Sequence, residues 1–290
     1  MAARRDWLIG IIIAGSALFV LVVVAALVLT AAKHGLGGGE IGVVDVQGFI
    51  SDPRPVVRQL KEFADRRSLP VIVLRIDSPG GTVAAAQEIY GEIRRIRKEG
   101  AKVVASMANV AASGGYYVAA AADTIVANPG TVTGSIGVII ELPNAEVLLR
   151  KIGVDFEVVK SGDFKDTGNV SRKVTPEERR LLQEVIDDTY NQFVDAIVEE
   201  RGLGRDEVLS LADGRVFTGR RALEYGLVDV LGGYEDAIRI AAKMVGIKGK
   251  PKLVKERGRK RTVLDLLLRG VDGLVLRTEK IYPSVEYVVR

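Results

Sequence analysis

The sequence predicts an α/β domain of repeated strand and helix units behind one N-terminal membrane-spanning helix, and three observations predict it. A charge-free apolar run fills Leu8 to Ala32, long enough to cross about 30 Å of hydrocarbon as a helix. Short apolar runs such as VIVLRI, residues 71–76, alternate with amphipathic helical patterns, the order that builds parallel sheets with right-handed crossovers. Glycine-rich turns, DSPGG at 77–81 and ASGG at 112–115, follow two of the strand runs.

A cleavable signal peptide is the nearest alternative for the first run, but such apolar cores span about 7 to 15 residues, and no clear A-x-A site closes this one. Arg4 and Arg5 precede it and only Lys33 follows closely, so the positive-inside rule puts residues 1–7 in the cytoplasm and everything from about Glu40 onward on the extracytoplasmic side. The expected organisation is a transmembrane helix at 8–32, a glycine-rich linker at 33–39, one folded domain at 40–250, and a basic, amphipathic extension at 251–290. The 290 residues, 48% apolar, suffice for a buried core. Net charge is +4 with both signs interspersed, which gives no argument for nucleic acid.

Within the domain, IGVVDVQGFI opens as a strand, and a helix is expected between Pro55 and Arg67. VIVLRI reads as a strand buried on both faces. Ala85, Ile89, Ile93 and Ile96 then recur at helical spacing until Gly100. KVVASM is the next strand, and ASGGYYVAAAA starts the helix after it. DTIVANPG and DFEVVKSG supply further strands, separated by a helix around 145–151. TPEE at 175–178 carries a cap, a first-turn proline and a capping-box glutamate for a helix at 176–201. Its Leu181, Leu182, Val185, Ile186, Phe193, Val194 and Ile197 form a stripe for the core or for a subunit interface. A last helix is expected at 235–246, and VLDLLLRGVDGLVL in the tail reads as a short amphipathic helix.

Elimination narrows the chemistry. There is no cysteine, hence no disulfide, thiolate zinc cluster or thiol nucleophile. The one histidine, His34, lies in the linker, which excludes a Ser-His-Asp triad and HExxH zinc catalysis within the domain. A serine nucleophile would need a lysine or a carboxylate as base, an unprotonated lysine being the better attested. Three stretches stand out: DSPGG, a turn whose free amides can face an anion; Ser113 in ASGGYY, a hydroxyl between a strand and a helix; and VKSGDFKDTG at 159–168, carrying Lys165. Asp163 and Asp166 flank that lysine and would raise its pKa, opposite to what a base requires.

In order along the chain, DSPGG, ASGGYY, TVTGSIGV, SGDFKD and the T-x-E-E helix resemble the signal peptide peptidase A family (peptidase family S49), over roughly residues 40 to 245. The resemblance implies a ClpP/crotonase-type fold and a membrane-anchored serine endopeptidase working with a Ser-Lys dyad and no cofactor or metal. Ser113 falls at the nucleophile position, Lys165 at the general base 52 positions later, and Ser135 at the serine that orients the lysine. The oxyanion donors map to backbone amides of Gly80, Gly81 and Gly114. Implied substrates are remnant signal peptides and other apolar peptides cut after small residues. Implied assembly is a homo-oligomeric ring in which the serine and lysine of one site can come from adjacent subunits. The alternatives are an NfeD-linked membrane protease acting on apolar segments, acyl-CoA chemistry on the crotonase fold, and a non-catalytic scaffold.

Overall fold

The computed structural model describes residues 16, 19–22, 24, 39–66, 68–255 and 285–288. Of the expected membrane span, Ser16, Phe19–Val22 and Val24 are helical, and the remainder lies outside the described residues. Among the described residues no helix is long and apolar enough to cross a membrane. The linker at 33–38 and the amphipathic run at 263–276 also lie outside them.

The domain is α/β. Its first half comprises β1 (Glu40–Gln47), α1 (Arg54–Ala64), β2 (Val71–Ser78), β3 (Gly80–Thr82), α2 (Val83–Lys98), β4 (Lys102–Ala112), α3 (Gly114–Ala120) and β5 (Thr124–Ala127). There follow β6 (Val132–Gly134), β7 (Ile139–Ile140), α4 (Glu146–Lys151), α5 (Pro176–Arg201), α6 (Arg205–Leu211), β8 (Val216–Thr218), α7 (Gly219–Glu224), β9 (Val230–Leu231), α8 (Tyr234–Met244), β10 (Lys252–Lys255) and β11 (Val285–Val288). The main sheet runs β10-β1-β2-β4-β5-β9, with parallel neighbours throughout. β10 lies past the domain end expected near residue 250 and pairs with β1.

Side chains alternate across a strand, and both faces of this sheet are covered. Val44, Val46, Ile72, Leu74, Ile76, Val103, Ala105 and Met107 join the large core under α1, α2, α3 and the second half of α5. Ile41, Val43, Val71, Val73, Val104 and Val126 face Ala237, Ile238, Ala241 and Ala242 of α8. Two-sided burial explains why VIVLRI is apolar without alternation.

One irregularity positions everything that follows. β2 and β4 stay in register to Ile76 opposite Met107, then resume at Ser78 opposite Ala111, so β4 carries extra residues at 108–110. A bulge of this kind bends the strand. Before it β4 pairs with β5, Met107 opposite Ala127; after it β4 pairs with β6, Val110 opposite Val132 and Ala112 opposite Gly134. Asp77 fills the opening: its carboxylate accepts from the Val110 N–H and from Asn109 Nδ2, both at 3.1 Å. Thr131 Oγ1 donates to the Ala108 carbonyl at 2.7 Å from the other side.

The stripe on α5 divides in two. Thr175 caps the helix and closes the predicted capping box with Glu178. Phe193, Val194 and Ile197 are fully buried, with the Phe193 ring 4.9 Å edge-on from Tyr117 of α3, whereas Leu181 and Val185 are exposed. DFEVVKSG is not a strand. Residues 154–160 are exposed and irregular; their β-branched and aromatic content suits a sheet, but no strand among the described residues pairs with them.

The division of α5 yields a quantitative expectation. Phe193→Ala should lower unfolding free energy by about 3–5 kcal/mol, while Leu181→Ala should change it by less than about 0.5 kcal/mol. Urea denaturation of both variants checks this; equal losses would mean that the two halves of the stripe are equally buried.

Candidate active site

β4 ends at Ala112, α3 begins at Gly114, and Ser113 makes the turn between them. Its backbone sits at φ 53°, ψ −119°, a conformation that side-chain-bearing residues rarely adopt and that surrounding contacts must hold in place. Those contacts are present. The Ser113 N–H donates to the Gly134 carbonyl at 2.8 Å, and the Ser113 carbonyl accepts from Tyr117 N–H at 2.8 Å to start the helix. The side chain is 1% exposed, and its Oγ has no hydrogen-bond partner among the described residues. A buried hydroxyl without a partner is costly, and such groups in native structures call for a functional explanation.

The glycines around it permit close approach. A Cβ on Gly115 would lie 2.8 Å from the Ser78 carbonyl oxygen, and one on Gly81 would lie 2.1 Å from that of Ile50. Both contacts are to backbone, so neither position has room for a side chain. They let α3 rest on the end of β2 and let β3 run beside Ile50, which donates to Gly80 O and accepts from Thr82 N–H, each at 2.9 Å.

Ser135 follows Gly134 directly and also has positive φ, 48°. Its N–H donates to Arg215 O at 2.8 Å. The β4–β6 register therefore brings Ser113 and Ser135 to one place, although they are 22 positions apart in the chain. A cleft of about 520 Å³ begins at Ser135 and extends between Ile139 and Tyr190. Of the backbone amides, Gly114 stands in the first turn of α3, where N–H groups lack intrahelical acceptors. Gly80 N–H is bonded to Ser78 Oγ at 3.1 Å. Gly81 lies centrally in β3, opposite Tyr287 of β11.

Lys165 is not brought to Ser113 within the chain. It lies exposed in a turn whose N–H donates to Gly162 O at 3.1 Å, and its ammonium makes no hydrogen bond or ion pair with a described residue. The turn itself is tied down. Asp166 accepts from Lys160 Nζ at 2.7 Å and from Arg172 Nε at 2.9 Å. Arg172 also forks onto the buried Glu178 carboxylate, through Nη2 to Oε1 and through Nη1 to Oε2 at 2.8 Å. Thr167 Oγ1 adds a bond to Glu178 at 3.2 Å. The Arg172 hydrogen bonds hold the Glu178 carboxyl down to about 2, and those from Arg172 and then Lys160 hold Asp166 well below the usual carboxylate range.

Sequence reasoning missed Asp77, Arg172 and β11. Asp77 reads as the first residue of a turn, and Arg172 as one cation in the mixed run SRKVTPEERR; long-range pairing leaves no local mark for either. β11 pairs antiparallel with β3, Val288 opposite Gly80, and on its other side with β7, Glu286 opposite Ile139.

A match to the Peptidase family S49 model covers residues 95–248. The chain belongs to this family. It is 47% identical over 209 residues to a Synechocystis sp. protein named as a protease, covering 72% of this chain and 75% of the relative. It is 39% identical over 219 residues to an Enterococcus faecium protein named as a signal peptide peptidase SppA, with 71% and 64% covered. With the chloroplastic serine protease SPPA of Arabidopsis thaliana it shares 34% over 251 residues, 84% of this chain and 37% of that one. The chain thus spans three quarters of the first relative and less than two thirds of the other two. Membership makes it a protease by kinship, and the matched region includes Ser113, Ser135 and Lys165.

The bulge supplies a test of the geometry. Asp77→Ala strands the Val110 N–H and should cost about 1–3 kcal/mol. It should also slow modification of Ser113 by a fluorophosphonate about tenfold or more. Full reactivity in a destabilised variant would mean that the β4 bend is not what positions the serine.

Proposed function

We propose that this S49 protease is a membrane-anchored serine endopeptidase with a ClpP/crotonase-type fold, held by residues 8–32 with the domain outside the cytoplasm. Ser113 is its nucleophile, Lys165 its general base and Ser135 the residue that orients the lysine. The observation that carries this reading is the buried Ser113 hydroxyl, without a partner among the described residues, on a strained backbone between a strand end and a helix start.

The neutral Lys165 amine takes the Ser113 proton as Oγ attacks the peptide carbonyl carbon. Backbone amides hold the resulting oxyanion. The lysine ammonium then gives its proton to the departing amine, and water, deprotonated in turn, releases the acyl group from Ser113. Gly114 is suited to donate from the α3 start; Gly80 must exchange its bond to Ser78 Oγ for one to the substrate oxygen. The exposure of Lys165, and of Val147, Leu148, Ile152, Phe156 and Phe164 nearby, supports assembly of copies in which the lysine of one chain serves the serine of another.

Substrates are extended apolar peptides, including remnant signal peptides, cut after small residues. The arrangement of β11 supports this reading: a short extended segment fits between β3 and β7 with antiparallel pairing on both sides, the mode by which a sheet edge receives a peptide. Such a substrate competes with the chain's own Val285–Val288.

On an apolar peptide with small residues, the full chain in detergent should lose activity by on the order of 10³-fold or more in Ser113→Ala and in Lys165→Ala. Wild-type activity should rise toward alkaline pH as the lysine loses its proton. Mixed assemblies of the two inactive variants should recover activity if the dyad is shared. A flat profile between about pH 6 and 10 would argue against a lysine base. Separately, deletion of residues 285–290 should raise kcat/KM on the same peptide with kcat little changed; unaltered kinetics would show that the tail does not compete for the slot.

A further inference from the structure

A lysine with two aspartates as sequence neighbours is poorly placed to be a base. Carboxylates within about 4–6 Å of an ammonium favour its charged form and raise its pKa. The turn resolves this in a particular way. The Asp166 carboxylate points to Lys160 and Arg172, and the other strong acid nearby, Glu178, is fully engaged by the same arginine, by Thr167 and by the Thr175 N–H at 2.8 Å. Arg172 thereby joins the residue after Lys165 to the first turn of α5, the end of the helix that its capping box fixes.

We propose that Arg172 is a positioning residue for Lys165: by binding Asp166 and Glu178 together, it keeps the lysine amine free of an anionic partner and locks its turn to the start of α5. This rests on the reading of Lys165 as the general base. The charged groups around the turn are Lys160, Asp163 and Asp166 within it, Arg172 and Lys173 after it, and Glu177 and Glu178 in α5. Glu146 and Arg150 of α4 and Asp155 line the hollow behind it, together with Asp166 and Arg172. Glu146 is spent on Arg150 at 2.6 Å. Asp163 turns its main-chain carbonyl to Lys160 Nζ at 2.8 Å and is exposed, where its charge is screened. Asp166 is therefore the anion whose direction matters: Lys160 holds one of its oxygens, and Arg172 holds the other and ties it to α5. A lysine in place of Arg172 keeps the charge but cannot fork onto Glu178 while reaching Asp166.

The test is the rate of fluorophosphonate modification of the full chain as a function of pH. Arg172→Met should move the midpoint of the alkaline rise upward by about one pH unit. Asp166→Asn in the same chain should bring it back, even if the maximal rate stays low because the turn is looser. Arg172→Lys should fall between wild type and Arg172→Met in midpoint, and it serves as the test if the methionine variant does not assemble. A reduced rate at an unchanged midpoint would overturn the proposal and leave Arg172 a purely structural clamp. So would a raised midpoint that persists after Asp166→Asn. Failure of the underlying reading looks different: Lys165→Ala would then react as fast as wild type.

Discussion

The site depends on one irregularity in one strand. β4 must pair with β5 along its first half to complete the sheet, and with β6 along its last residues to bring Gly134 to the Ser113 amide. A regular strand cannot do both. The extra residues at 108–110 let it change partners, and the Asp77 carboxylate and Thr131 hydroxyl supply the hydrogen bonds that the interrupted ladder leaves open. That bend carries the end of β4 onto β6, which puts Ser113 beside Gly134 and Ser135. The strain at Ser113 is sustained because its N–H and C=O are both committed, one to a strand and one to a helix.

Ser113 and Lys165, the proposed nucleophile and base, stand in contrasting surroundings. Ser113 is enclosed by β2, β4, β6 and α3, whose small residues permit backbone to approach backbone. Lys165 projects from a turn with no apolar cover, and the turn is held instead by charge-assisted hydrogen bonds to α5. A rigid serine and an outward-facing lysine suit the proposed arrangement in which the lysine serves a neighbouring copy. One local expectation fails there: among the described residues DFEVVKSG has strand composition without a strand partner. The α5 stripe, expected for the core or a subunit interface, is core only in its second half.

Much of the fold was legible because it rests on periodicity. The parallel strands, α2, and the capped α5 with its Thr175–Glu178 box are local patterns that the structure reproduces. Ser113 and Lys165 could be singled out only through the order of several motifs, since neither stretch is distinctive by itself. What could not be read were pairings set by distance in space. Asp77 looks like any turn aspartate until Val110 lies opposite it, Arg172 is one cation in a mixed run, and β11 acquires meaning only beside Gly80 and Ile139.

The most direct measurement is the location of a covalent adduct. The full chain, assembled and treated with a fluorophosphonate at about pH 8.5, would be weighed intact and then mapped by peptide mass. One adduct per chain, on Ser113, is the result predicted by a strained, buried and unpartnered hydroxyl acting as nucleophile. An adduct on a different residue, or none on protein that cleaves a peptide in the same buffer, would contradict it.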